Sequence, residues 1–166
     1  MNFGTHNIPT VVATLILIAG MIDDLASRKV HNWLFLTCAG VALLTASLYG
    51  GGAGALQGLL GFGAAVAILL PLVLAKALGA GDMKIMAAFG LVTSWETVIH
   101  VAIYSIIWGA FFGFIRVLIK GEALNLIRNI FRIITRQKLQ ATQLHTIPYT
   151  VALLIGWMTY LTAGAS

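Results

Sequence analysis

Two aspartates carry the chemistry of this chain. Asp24 stands in the run MIDDLASRKVHNW (residues 21–33), and Asp82 stands in GAGDMK (residues 79–84). Acidic side chains are scarce, with five Asp and Glu among 166 residues. A carboxylate is costly near hydrocarbon, so an ionisable residue at membrane depth is a functional candidate by default. Two of them can divide the labour of hydrolysis. If helices bring them together, mutual repulsion splits their titration and one holds a proton near neutral pH. The ionised member can then deprotonate a water, while the protonated member polarises a peptide carbonyl and later helps the amine leave.

Gly79 and Gly81 flank Asp82. Glycine permits close backbone approach and positive φ. A substrate strand is therefore expected beside Asp82, hydrogen-bonded to this loop. Lone GxGD is a weak signal, and a second Asp at the same membrane depth strengthens it.

The elements that must position these groups are membrane helices. The chain is 60% hydrophobic and 9% charged, against about 25% charged for a soluble domain. Its mean hydropathy is +0.97. The length suits one all-α, polytopic bundle, and residues 1–166 are read as a single integral membrane domain. The N-terminus lacks a basic region and a small-residue cleavage site, so it is read as a retained helix. The single Cys38 makes neither an internal disulfide nor a metal site.

Candidate spans are Ile8–Ile22, Trp33–Tyr49, Leu56–Ala75, Met83–Ser94, Thr97–Ile119 and Thr146–Ala163. The Gly50–Gly54 stretch reads as a tight turn, and Pro71 is expected to kink the third span. The fourth is too short to assign by hydropathy, and charge decides it. The ten Lys and Arg fall in three places: Arg28 and Lys29; Lys76 and Lys84; then Arg116, Lys120, Arg128, Arg132, Arg136 and Lys138. With six transmembrane helices and both termini outside, all three basic loops share the face that the positive-inside rule makes cytoplasmic. This explains the pI of 9.7 without nucleic acid as a partner. Asp24 follows the first span and Asp82 precedes the fourth, so both reach the cytoplasmic edge. The short fourth span predicts Asp82 at or just inside that edge. Within the third basic loop, residues 121–145, arginines recur every four residues opposite Leu124, Ile127, Phe131 and Ile134. The pattern is an amphipathic helix, either lying on inner-leaflet lipids or simply solvated between spans.

These residues carry a resemblance. GAGDMK followed by IMAAFG resembles the GxGDxK motif of the type IV prepilin peptidases. Asp24 to Asn32 is similar to that family's first motif, an Asp followed by basic residues and Ile-Pro-Asn. Ile147-Pro148-Tyr149 resembles its Ile-Pro-Tyr entry to the last helix. The small size resembles the minimal branch serving Flp-type, tight-adherence pili. The resemblance implies an aspartic endopeptidase of the bacterial inner membrane. Such an enzyme removes a short, charged leader from prepilins on the cytoplasmic side. Asp24 and Asp82 are then the catalytic pair, with Asp23 as the alternative partner, and no cofactor is required. His31 stands where the family has Pro. The paired cysteines and cytoplasmic insertion of larger, bifunctional members are lacking, which implies cleavage without N-methylation.

Lys84 is expected either to favour an ionised Asp82 or bind substrate, or to serve only as a topology charge. Arg28 and Lys29 either attract an acidic residue near the cleavage point or orient the first hairpin. Asn32 is expected to cap the second helix or support the Asp24 loop. Trp33, Trp95 and Trp157 lie near span ends, as in aromatic belts, and Trp108 is expected in the core. Scattered histidines without HExxH or Cys/His spacing leave no metal site, and no GxSxG occurs. A small proton- or cation-coupled transporter using Asp24 and Asp82 is the alternative function. A non-catalytic subunit of a secretion machine is a third.

Overall fold

The computed structural model describes residues 7–119 and 149–163. The amphipathic segment expected over residues 121–145 lies outside these, as does Pro148. The described residues form five helices: α1 (Asn7–Ser27), α2 (Asn32–Leu74), α3 (Ala80–Val92), α4 (Trp95–Ile119) and α5 (Tyr149–Ala163). Three of them contain stretches long and apolar enough to cross a membrane: Ile8–Ser27, Asn32–Leu74 and Trp95–Ile115.

The second and third candidate spans are both contained in α2. Its dihedral angles leave the helical region at Gly51, at φ 59° and ψ −149°. Only glycine takes such a conformation at little cost. The two arms fold back on each other there, because the backbone of Gly54 lies against the Ala46 carbonyl. Pro71 sits inside the second arm, and Gly51 remains the non-helical point of α2. The arm ends in a Schellman motif. Ala77 N–H donates to the Leu72 carbonyl at 2.9 Å and Lys76 N–H to that of Val73 at 3.0 Å. Lys76 occupies the left-handed position, φ 58°, where glycine is usual, at a cost of about 1 kcal/mol.

Helix α3 is the hub. At about 1.5 Å per residue its 13 residues span only about 20 Å. Residues Ile85 to Val92 are all buried, enclosed by α2, α1, α4 and α5. Backbone meets backbone where α2 crosses α3. A Cβ on Gly61 or on Gly90 would run into the carbonyl of the other. Small residues let membrane helices approach so closely, and dispersion between them replaces the missing hydrophobic drive. Alanines 13, 42, 65, 87 and 88 continue this lining inside, while Leu36, Leu44, Leu48, Ile107 and Ile119 point outward. Such an inside-out distribution suits lipid as solvent. A two-residue turn joins α3 to α4, where the Ser94 hydroxyl accepts Thr97 N–H at 3.3 Å and caps α4.

Four expectations need correction. Helix α1 runs five residues past Ile22, so Asp24 lies on its last turn and not in a loop. Nothing in Asp-Asp-Leu-Ala-Ser resists helix, and α1 ends only where Arg28 turns left-handed at φ 52°. Helix α3 starts at Ala80, so Asp82 is its third residue and does not precede it. Asn32 is the first residue of α2, whose cap position is His31. Trp157 is not at a wet boundary: it is 3% exposed, packs edge-on against Phe89 and donates to the Thr14 hydroxyl at 2.8 Å. Helix α5 meets α1 and α3 on that face.

Candidate active site

Four element ends converge on the two aspartates: the last turn of α1 and the first turns of α2, α3 and α5. Asp82 is built locally. It is the third residue of α3, and its Oδ2 accepts the Gly79 N–H from the cap position at 3.2 Å. A carboxylate there satisfies an otherwise unpaired donor and meets the positive end of the helix dipole. Asp82 is 7% exposed. Its second oxygen, Oδ1, is buried and meets no hydrogen-bond partner among the described residues. An unsatisfied carboxylate oxygen in a buried setting calls for an explanation, and awaiting a reactant is one.

Asp24 is held from far away. Its Oδ2 accepts the Thr150 hydroxyl at 3.1 Å, from α5. Asp24 and Asp82 are close enough to interact electrostatically, and the Thr150 backbone lies beside Asp82. Beside Thr150, the Tyr149 hydroxyl is buried. It lies within range of Ser105 and of the Asp82 charge, yet among the described residues no group meets it in good hydrogen-bonding geometry. Sequence reasoning noted Tyr149 as part of the Ile-Pro-Tyr entry to the last helix and passed over Thr150. The available signal was a hydroxyl directly after Pro148-Tyr149 at the start of an apolar helix.

Asp23 and Asp24 are neighbours with separate partners. Asp23 Oδ2 accepts the His31 backbone N–H at 2.8 Å, and its Oδ1 lies 2.8 Å from His31 Nδ1. His31 holds φ −66° and ψ 142°, angles that proline itself would adopt. The departure from the Ile-Pro-Asn pattern thus keeps the backbone shape and adds a tie to Asp23.

The glycines act by closeness. Neither Gly79 nor Gly81 has positive φ, contrary to one expectation. A Cβ on Gly81 would instead press into Val30, so Gly81 lets the α2–α3 connection lie against the segment after Asp24. Lys84 donates to Asn32 Oδ1 at 2.6 Å, joining the first turns of α3 and α2. Arg28 and Lys29 are exposed, and no ion pair joins either to Asp24 or Asp82 among the described residues. Among those residues no group of three His, Cys, Asp or Glu is arranged to hold a metal ion. A surface pocket at the opposite end, lined by Pro9, Tyr49, Gln57 and Thr93, is remote from the aspartates.

Two acidic groups, a buried unpaired oxygen and an unpaired phenol form a setting able to hold water and a peptide carbonyl. Neither a curated protein nor a solved structure matches the chain. A family model does, that of the type IV leader peptidase family, over residues 11–114. That stretch contains both aspartates and covers more than half of the chain. The chain therefore belongs to the type IV leader peptidase family, whose members are aspartic-type prepilin peptidases.

Proposed function

We propose that this protein removes the leader from Flp-type prepilins at the cytoplasmic face of the bacterial inner membrane, with Asp24 and Asp82 as the catalytic pair. The observation that carries the assignment is the meeting of the two aspartates at the start of α5, where the Thr150 hydroxyl binds Asp24 and Asp24 lies within electrostatic range of buried Asp82. One carboxylate takes a proton from the water that attacks the scissile carbonyl and then passes that proton to the leaving amine, while the other, protonated, hydrogen-bonds to the carbonyl oxygen and keeps its proton. Gly79 and Gly81 keep the approach to Asp82 open, and Lys84 and Asn32 brace the α2 and α3 starts. Arg28 and Lys29, exposed beside Asp24, attract an acidic residue near the cleavage point. Six spans with both termini outside put every basic loop on the inner face. With Cys38 as the single cysteine, the paired cysteines of bifunctional relatives are lacking and the mature pilin keeps a free amine.

Co-expression with an Flp-type prepilin tests this reading. Leader removal by the wild type, seen as a gel shift and lost in Asp82→Ala, is the expected result. Mass spectrometry of the mature pilin is expected to find an unmethylated N-terminus. Full cleavage by Asp82→Ala would sink the proposal.

A further inference from the structure

We propose that Thr150, the second residue of α5, is the positioning residue that fixes the Asp24 carboxylate relative to Asp82. The inference rests on the catalytic pair proposed above and deepens it.

Asp24 sits on the last turn of α1, where among the described hydrogen bonds none from a side chain of its own helix holds it. Its neighbour Asp23 is taken up by His31. The described hydrogen bond to the Asp24 side chain comes from Thr150, 126 residues away. Threonine in a helix commonly turns its hydroxyl back to the carbonyl four residues earlier. Thr14, Thr45, Thr93 and Thr159 all do so here, at 2.8, 2.7, 3.0 and 2.8 Å. The Thr150 hydroxyl instead reaches across to α1. Its backbone lies beside Asp82.

A single residue thus addresses both carboxylates, by side chain on one and main chain on the other. Thr150 is 1% exposed, so water does not replace the hydroxyl when it is removed. Without that bond Asp24 is free to rotate away at the end of α1. Reaction needs the base, the water and the acid in one geometry, and a displacement of about 1 Å can cost about 100-fold. Substrate binding, which spreads over the leader and its hydrophobic helix, does not depend on this bond.

The test is cleavage of a purified Flp-type prepilin by the full-length protein in detergent. Wild type, Thr150→Val, Thr150→Ser, Asp24→Asn and Asp82→Asn are compared at equal folded amounts. Thr150→Val keeps the volume and drops the donor, whereas Thr150→Ser keeps the donor. The expected result is kcat lowered about 10- to 100-fold in Thr150→Val, with KM within about 2-fold. Thr150→Ser stays within about 3-fold of wild type. A Thr150→Val enzyme with wild-type kcat overturns the assignment, as does an equal loss in the Val and Ser variants, which marks a packing role. If those results accompany inactive Asp24→Asn and Asp82→Asn, only the positioning role falls. If both Asn variants cleave normally, the catalytic pair falls and Thr150 with it.

Discussion

The two halves of the site are built on opposite principles. Asp82 belongs to a buried, short helix and is secured within three residues, by the Gly79 N–H. Asp24 belongs to the half-exposed end of a long helix and is secured across the bundle, by Thr150. Local fixation resists perturbation because the helix that carries Asp82 is also the hub of the fold. Tertiary fixation lasts only while α1 and α5 stay in register. The difference locates the firmer support at Asp82 and the more adjustable one at Asp24, as the proposed pairing of the two in prepilin cleavage would use.

Breaking the local half is expected to have the largest effect. Asp82→Asn keeps the cap geometry and removes the proton chemistry, so leader removal should fall about 1,000-fold or more. Gel-shift kinetics at matched membrane levels measure it. Unchanged expression would separate chemistry from folding.

Next comes the seam between the halves. Gly81→Val places branched carbons against Val30, and the α2–α3 connection must then move off the segment that follows Asp24. Cleavage should drop about 10- to 100-fold, with a smaller loss in Gly81→Ala measured in the same assay.

A smaller effect is expected from the exposed brace. Lys84→Met removes the bond to Asn32, and a polar contact so open to solvent contributes little. Activity should fall no more than about 5-fold, read from initial rates. A much larger loss would move Lys84 from bracing to the chemistry itself.

The smallest effect is expected at His31. His31→Pro fits the observed φ of −66° but deletes the N–H and the ring that engage Asp23. Cleavage should stay within about 3-fold of wild type, measured beside wild type over a temperature series.

These contrasts follow how legible each half is in the sequence. Asp82 declares itself because its support is contiguous: Gly79, Gly81 and Lys84 stand within six residues. The break at Gly51 is readable for the same reason, since a run of glycines marks where helix cannot continue. Asp24 is half readable. Its type and basic surroundings are visible, but its partner lies 126 residues on, and no local pattern announces a hydroxyl reaching between helices. Asp24 meets Thr150 of α5 whereas Asp23 meets His31, a difference set by which face of α1 meets α5, and hydropathy does not encode that. Trp157 was misread for a related cause. Aromatic residues near span ends serve belts and cores alike, and only packing against Phe89 and Thr14 distinguishes them. The extra turn of α1 escaped because apolar runs mark hydrocarbon depth, whereas helices continue past it. The transporter alternative draws no support from the family match, which points to peptidases.

The most direct test of the account compares the two adjacent aspartates in one prepilin cleavage assay. Asp24→Asn should lose leader removal by about 1,000-fold, while Asp23→Asn, whose carboxylate serves His31, should stay within about 3-fold of wild type. The reverse order, or normal cleavage by Asp24→Asn, would contradict the pairing of Asp24 with Asp82.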